Sequence, residues 1–76
     1  MIEELKIALS EQFEDNNNER SFSLNRDNYE RCLFFLVDQG WNRDYIISAT
    51  TVDDNGYRLD IRYLVFLDKN GLFFPT

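Results

Sequence analysis

The chain has 76 residues, with fourteen Asp and Glu against eight Lys and Arg, a net charge of −6, no His and one Cys. That length gives room for one small domain spanning 1–76, and the missing side chains exclude a zinc or iron–sulfur site on the usual ligands and any intrachain disulfide. Apolar residues at 43% and aromatic residues at 16% supply enough burial for a folded core.

Ile2, Leu5, Leu9 and Phe13 recur at three- and four-residue spacing, which predicts an amphipathic helix over 2–13. Residues 14–19 are polar and rich in turn formers, and read as a loop. Phe22 and Leu24 alternate with Ser21, Ser23 and Asn25 as a short edge strand. Asn25 is a candidate N-cap for a second helix over 26–39, which Gly40 stops and onto which Trp41 folds back. Tyr29, Cys32, Leu33, Leu36 and Val37 form its apolar face, and Phe34 and Phe35 widen that face beyond one stripe.

From Asp44 onward the pattern reads as period two. Tyr45 to Val52 is rich in β-branched residues and predicts a strand, followed by the turn Asp53-Asp54-Asn55-Gly56. Tyr57 to Val65 alternates as the returning strand, with Val52 opposite Leu59, Thr50 opposite Ile61 and Asp53 opposite Arg58. Asp68-Lys69-Asn70-Gly71 reads as a second turn, and Leu72-Phe73-Phe74 as a last strand. The expected fold is α+β, a two-layer sandwich of order α-β-α-β-β-β, with helices on one face of a mostly antiparallel sheet.

The charge pattern narrows the partners. The eight basic residues are scattered with no two adjacent, and the negative excess repels phosphates, so no nucleic acid is expected. The longest unbroken apolar run, Cys32 to Val37, is far short of a membrane span. Glu3, Glu4 and Lys6 interrupt the apolar residues of Ile2 to Leu9, so nothing there resembles a signal peptide. A cytoplasmic protein is expected, without membrane insertion and peripheral to a membrane only through a complex. Four of the six net negative charges fall in the first twenty residues, where Glu11, Glu14 and Asp15 are candidates to meet a basic protein partner.

Catalytic chemistry finds little support in these residue types. Cys32 lies on a buried helix face with no His to activate it, and reads as a small core hydrophobe. Asp53 and Asp54 sit in a turn that leaves no cleft between two carboxylates. The expectation is a non-enzyme without cofactors that binds a protein. A small domain cannot bury twelve aromatic side chains, and Phe34, Phe35, Trp41, Phe73 and Phe74 are the candidates for an exposed interface. The final strand also leaves a sheet edge open to another chain, including a second copy of this one.

The segment Ile46 to Asp53, a short turn, and then Leu59-Asp60-Ile61-Arg62-Tyr63-Leu64 resembles the 30-kDa subunit family of proton-pumping NADH:quinone oxidoreductase and related membrane-bound hydrogenase subunits. Thr50, Val52, Asp53 and Tyr63 fall at that family's pattern positions, and Leu36-Val37-Asp38-Gln39-Gly40-Trp41 is similar to the end of its preceding helix. The resemblance implies a cofactor-free scaffolding subunit of a redox complex, in a truncated or minimal form. The charge points instead to a stand-alone acidic protein of the inhibitor, immunity or phage-encoded kind that blocks a basic partner.

Overall fold

The computed structural model describes residues 1–71, so the predicted strand Leu72–Phe74, with Phe73 and Phe74, lies outside the described residues. The first half of the chain follows its periodicity. Helix α1, Ile2–Glu14, places Glu3 and Glu4 in its positive first turn and buries Leu5, Ala8, Leu9 and Gln12. The spacing predicts that Phe13 completes that stripe, but Gln12 points inward and is only 2% exposed. Its amide makes this tolerable, because Nε2 donates to Asn16 Oδ1 at 2.8 Å and to the Asn18 carbonyl at 2.6 Å. Those two bonds tie the polar loop to the helix end.

Strand β1, Ser21–Leu24, leads into helix α2, Arg26–Asp38. Asn25 caps α2 as expected, its Oδ1 accepting from the Asn28 amide at 2.8 Å. Gly40 adopts a φ of 98° after the helix, and the Trp41 amide donates back to the Leu36 carbonyl at 2.9 Å. Trp41 then packs partly buried on the core.

The second half departs from the period-two reading. The predicted strand from Tyr45 is helix α3, Arg43–Ser48, and only Thr50–Asp53 forms strand β2. Asn42 decides the outcome locally, since its Oδ1 accepts from the amides of Asp44 and Tyr45 at 2.8 and 3.2 Å. Ile46 and Ala49 are buried three residues apart, whereas Ile47, which alternation would treat as Tyr45's same-face neighbour, is 44% exposed. The returning strand β3 is likewise short, Gly56–Asp60, and Ile61–Asn70 forms helix α4. Asp60 caps that helix by accepting from the Tyr63 amide at 3.0 Å. Ile61, Leu64 and Val65 are buried at helical spacing, a pattern that overlaps with alternation and is resolved by packing. Asp68 to Gly71 is therefore the last turn of α4, closed by Gly71 at φ 59°, and not a hairpin. The observed order is α-β-α-α-β-β-α, which replaces the expected α-β-α-β-β-β.

The sheet has three strands in the order β1-β3-β2, all antiparallel. Thr50 faces Leu59, Val52 faces Tyr57 and Asp53 faces Gly56, so the turn is centred one residue earlier than expected. Arg58 consequently lies opposite Thr51 and Ser23, not Asp53. The change shifts each pair by two residues, which preserves the assignment of residues to faces. Asn55 does not adopt positive φ, and its amide instead donates to Asp53 Oδ1 at 2.8 Å; Gly56 alone takes φ 127°. A Cβ at Gly56 would lie 2.6 Å from the Leu24 carbonyl oxygen, so the close approach of β3 to β1 requires glycine.

Leu24 and Leu59 are buried on one face of the sheet, together with the partly buried Phe22 and Tyr57, while Ser21, Ser23, Thr51, Arg58 and Asp60 are exposed on the other. The core joins that covered face to Leu5 and Leu9 of α1, Cys32 and Leu36 of α2, Ile46 of α3 and Leu64 and Val65 of α4. Tyr29 stacks on Tyr57 with ring centroids 4.4 Å apart. Its hydroxyl lies 2.8 Å from Thr50 Oγ1, which in turn donates to the Ile46 carbonyl at 2.7 Å. Thr50 has one hydroxyl proton, so Tyr29 is the donor to it. Among the described residues no buried side-chain nitrogen or oxygen lacks a partner.

Of the segment that carries the family resemblance, the hairpin Thr50–Asp60 is β structure, whereas Ile46–Ser48 and Ile61–Leu64 are helical.

Candidate functional site

Two exposed regions stand out, and the first is the outer face of α2. The helix turns Tyr29, Cys32 and Leu36 inward. Phe34 therefore faces away from the core and remains 70% exposed, and Val37, which the spacing places on the inward face, lies three residues on beside it and is 39% exposed. Phe34, Phe35, Val37 and Asp38 line a shallow concave surface there. Burying a phenylalanine side chain is worth about 1.5–3 kcal/mol, a gain that folding leaves unused at Phe34.

The other expected aromatic residues serve the fold to a greater degree. Phe35 is partly buried against the core, with Lys6 Nζ 5.6 Å from its ring centroid. Trp41 lies tilted against Phe13 with centroids 5.5 Å apart, and Lys69 Nζ stands 5.5 Å from the Phe13 centroid and donates to the Phe13 carbonyl. These contacts join the ends of α1, α2 and α4.

The acidic N-terminal segment is largely paired within the chain. Glu3 meets Lys6 at 3.3 Å, Glu4 the N-terminal ammonium at 3.6 Å, Glu11 meets Arg20 at 3.2 Å and Glu19 meets Arg62 at 3.4 Å. Glu14 and Asp15 are exposed without an ion pair among the described residues, although Asp15 Oδ1 accepts from the Asn17 amide at 3.1 Å. These exposed pairs contribute little to stability, so the carboxylates remain open to exchange with a partner's cations.

Cys32 is 1% exposed, and burial pushes its thiol pKa up against a smaller pull from the N-terminal ammonium. The protonated thiol is held away from solvent and offers no nucleophile at neutral pH. No group of three or more Cys, Asp or Glu among the described residues is placed to hold a metal ion.

The second region was not legible as a site in the sequence. A concave surface of about 680 Å³ on the open side of the sheet is lined by Arg20, Arg58 and Arg62, residues that read as scattered along the chain. The fold gathers them because Ser21 pairs with Asp60 and the Ile61 amide donates to the Arg20 carbonyl at 2.9 Å. Arg58 and Arg62 then straddle the junction between β3 and α4. Tyr63 and Phe66 of α4 line the same groove, with ring centroids 6.3 Å apart and planes 15° from parallel. The exposed run Arg58, Asp60, Arg62 was the available signal, but a continuous strand would have spread it along one sheet face.

No helix among the described residues is long and apolar enough to cross a membrane. No family model, curated protein or solved structure matches the chain.

Proposed function

We propose that this chain is a non-catalytic, cofactor-free protein-interaction module that holds its partner through the outer face of α2. The observation that carries the reading is Phe34, a large aromatic side chain 70% exposed beside Val37. Aromatic side chains left open on a well-packed domain are characteristic of interface centres, where a partner removes them from water. The architecture is taken as two layers, with helices over one sheet face and α2's outer side turned to the partner. The net charge of −6 makes a basic partner the better match, because it speeds encounter and disfavours acidic competitors.

A narrower reading places the module as a scaffolding subunit in an NADH-dehydrogenase-like or hydrogenase-like complex. The hairpin Thr50–Asp60 favours it, being the part of the resembling segment that is β structure. The wider reading is preferred because it needs only the exposed face and the charge.

The test is quantitative affinity purification of the full chain and its Phe34→Ser variant from the cells that make it. The variant is expected to lose the partner by about 30-fold in affinity, as at an interface centre, with stability changed by under about 0.5 kcal/mol. Retention of the same partner at unchanged affinity would refute the reading. A partner whose association does not slow as salt rises would remove the basic-partner element alone.

A further inference from the structure

We propose that the arginine-lined groove on the open sheet face binds a mononucleotide, a phosphate ester carrying a planar base. The inference is independent of the α2 interface, because the groove is built from the loop 15–20, β1, β2, β3 and α4. It begins from an imbalance of charge. The chain carries −6 overall, yet three of its six arginines line this one surface, against two carboxylates, Glu19 and Asp60. Clustered guanidinium groups repel one another unless anions lie between them, and two of the three already hold one.

Arg20 is paired with Glu11 and Arg62 with Glu19. Arg58, on the middle strand, has no carboxylate partner among the described residues. Its cross-strand neighbours are Ser23 and Thr51, and Thr51 also lines the groove. Arg58 is therefore the open anchor for an added anion. The flanking exposed carboxylates are weakly held and can yield their arginines to a phosphate, which offers more acceptor oxygens and more charge.

Size and shape narrow the ligand. The groove's 680 Å³ falls within the range of about 300–1,000 Å³ typical of small-molecule sites, far more than a bare phosphate fills. Tyr63 and Phe66, whose rings are nearly parallel, supply aromatic surface in the groove for a planar base to stack on. Asn16 and Ser21 add polar groups on the same surface for ring or sugar hydrogen bonds. A polyanionic peptide also carries the right charge, but repulsion from the acidic chain grows with each added carboxylate, whereas a nucleotide brings about two charges.

The experiment is a heteronuclear NMR titration of the full chain at low salt with AMP, adenosine, inorganic phosphate and a Glu-rich octapeptide as separate probes. AMP is expected to bind with a Kd on the order of 10⁻⁴ M and to shift amides at 20–21, 51, 58 and 62–63. Adenosine and phosphate are each expected to bind at least about tenfold more weakly, since each offers half of the recognised chemistry. Arg58→Gln is expected to weaken AMP about tenfold with an unchanged melting temperature, while Arg43→Gln, on α3 and away from the groove, leaves it unchanged. Tyr63→Leu is expected to weaken AMP without altering the response to phosphate. Failure of AMP to saturate by about 10 mM, equal effects of the Arg58 and Arg43 changes, shifts confined to other residues, or tighter binding of the octapeptide would each overturn the proposal.

Discussion

The outer face of α2 and the open face of the sheet are both bathed in solvent, but one presents Phe34 and Val37 and the other Arg20, Arg58 and Arg62. The helix face is shallow and apolar, so only a large partner surface can remove it from water. The sheet face is concave and sets three arginines against Glu19 and Asp60, with Arg58 free of a carboxylate partner among the described residues, so it suits a compact anion. Each shares its backbone with a buried side: Cys32 and Leu36 lie behind Phe34, and Leu59 alternates with Arg58 on the same strand. Stability and recognition are thus divided across single elements, by three- and four-residue spacing in the helix and by alternation in the strand.

The largest expected effect breaks that division from the buried side. Leu59→Ala removes a fully buried side chain from the middle strand and should cost about 3 kcal/mol in urea unfolding, while the adjacent Arg58→Gln stays within about 0.5 kcal/mol. Comparable costs at the two positions would mean that the open face is structural.

A smaller effect of mixed sign is expected at Asp60, which belongs to both the fold and the groove. Asp60→Ala deletes the cap on the Tyr63 amide and should cost about 1 kcal/mol in stability. It also removes a carboxylate from the groove, so AMP affinity should rise by about threefold. Urea unfolding and AMP titration of one sample check both signs.

The smallest effect concerns the inner side of α2. The fold raises the Cys32 pKa, so it favours the protonated thiol. That contribution is complete below the unfolded value of about 8.5 and is lost as pH climbs through the folded value. Urea midpoints should therefore fall more between pH 8 and pH 9.5, a window set by that unfolded value of about 8.5, for the parent chain than for Cys32→Ala. Parallel pH profiles would show that the thiol is not shielded as described.

The two regions also differ in how far the sequence revealed them. The helix 26–39 was legible because its signals agree: Asn25 at the start, Gly40 at the end and an inward stripe at Tyr29, Cys32 and Leu36. Phe34, outside that stripe, is a candidate because a small domain cannot bury twelve aromatic side chains. The second half carries ambiguous signals. Ile61, Leu64 and Val65 satisfy helical spacing while Tyr57 to Val65 also alternates, and Asp60 serves equally as a strand's wet residue or a helix cap. Burial settles the matter, since a helix at 61–70 brings Ile61, Leu64, Val65 and Leu67 into one core that a strand would divide between two faces. The groove depends on that helix and on the pairing of Ser21 with Asp60, so no local pattern could announce it.

The proposed interface is tested most directly by placing a benzophenone photocrosslinker in the full chain, at position 34 in one variant and at position 51 in another. With the purified partner present, the expected result is a covalent adduct from position 34 on the outer face of α2 and none from position 51 on the open sheet face. An adduct from position 51 with none from position 34 would contradict the assignment of protein binding to α2.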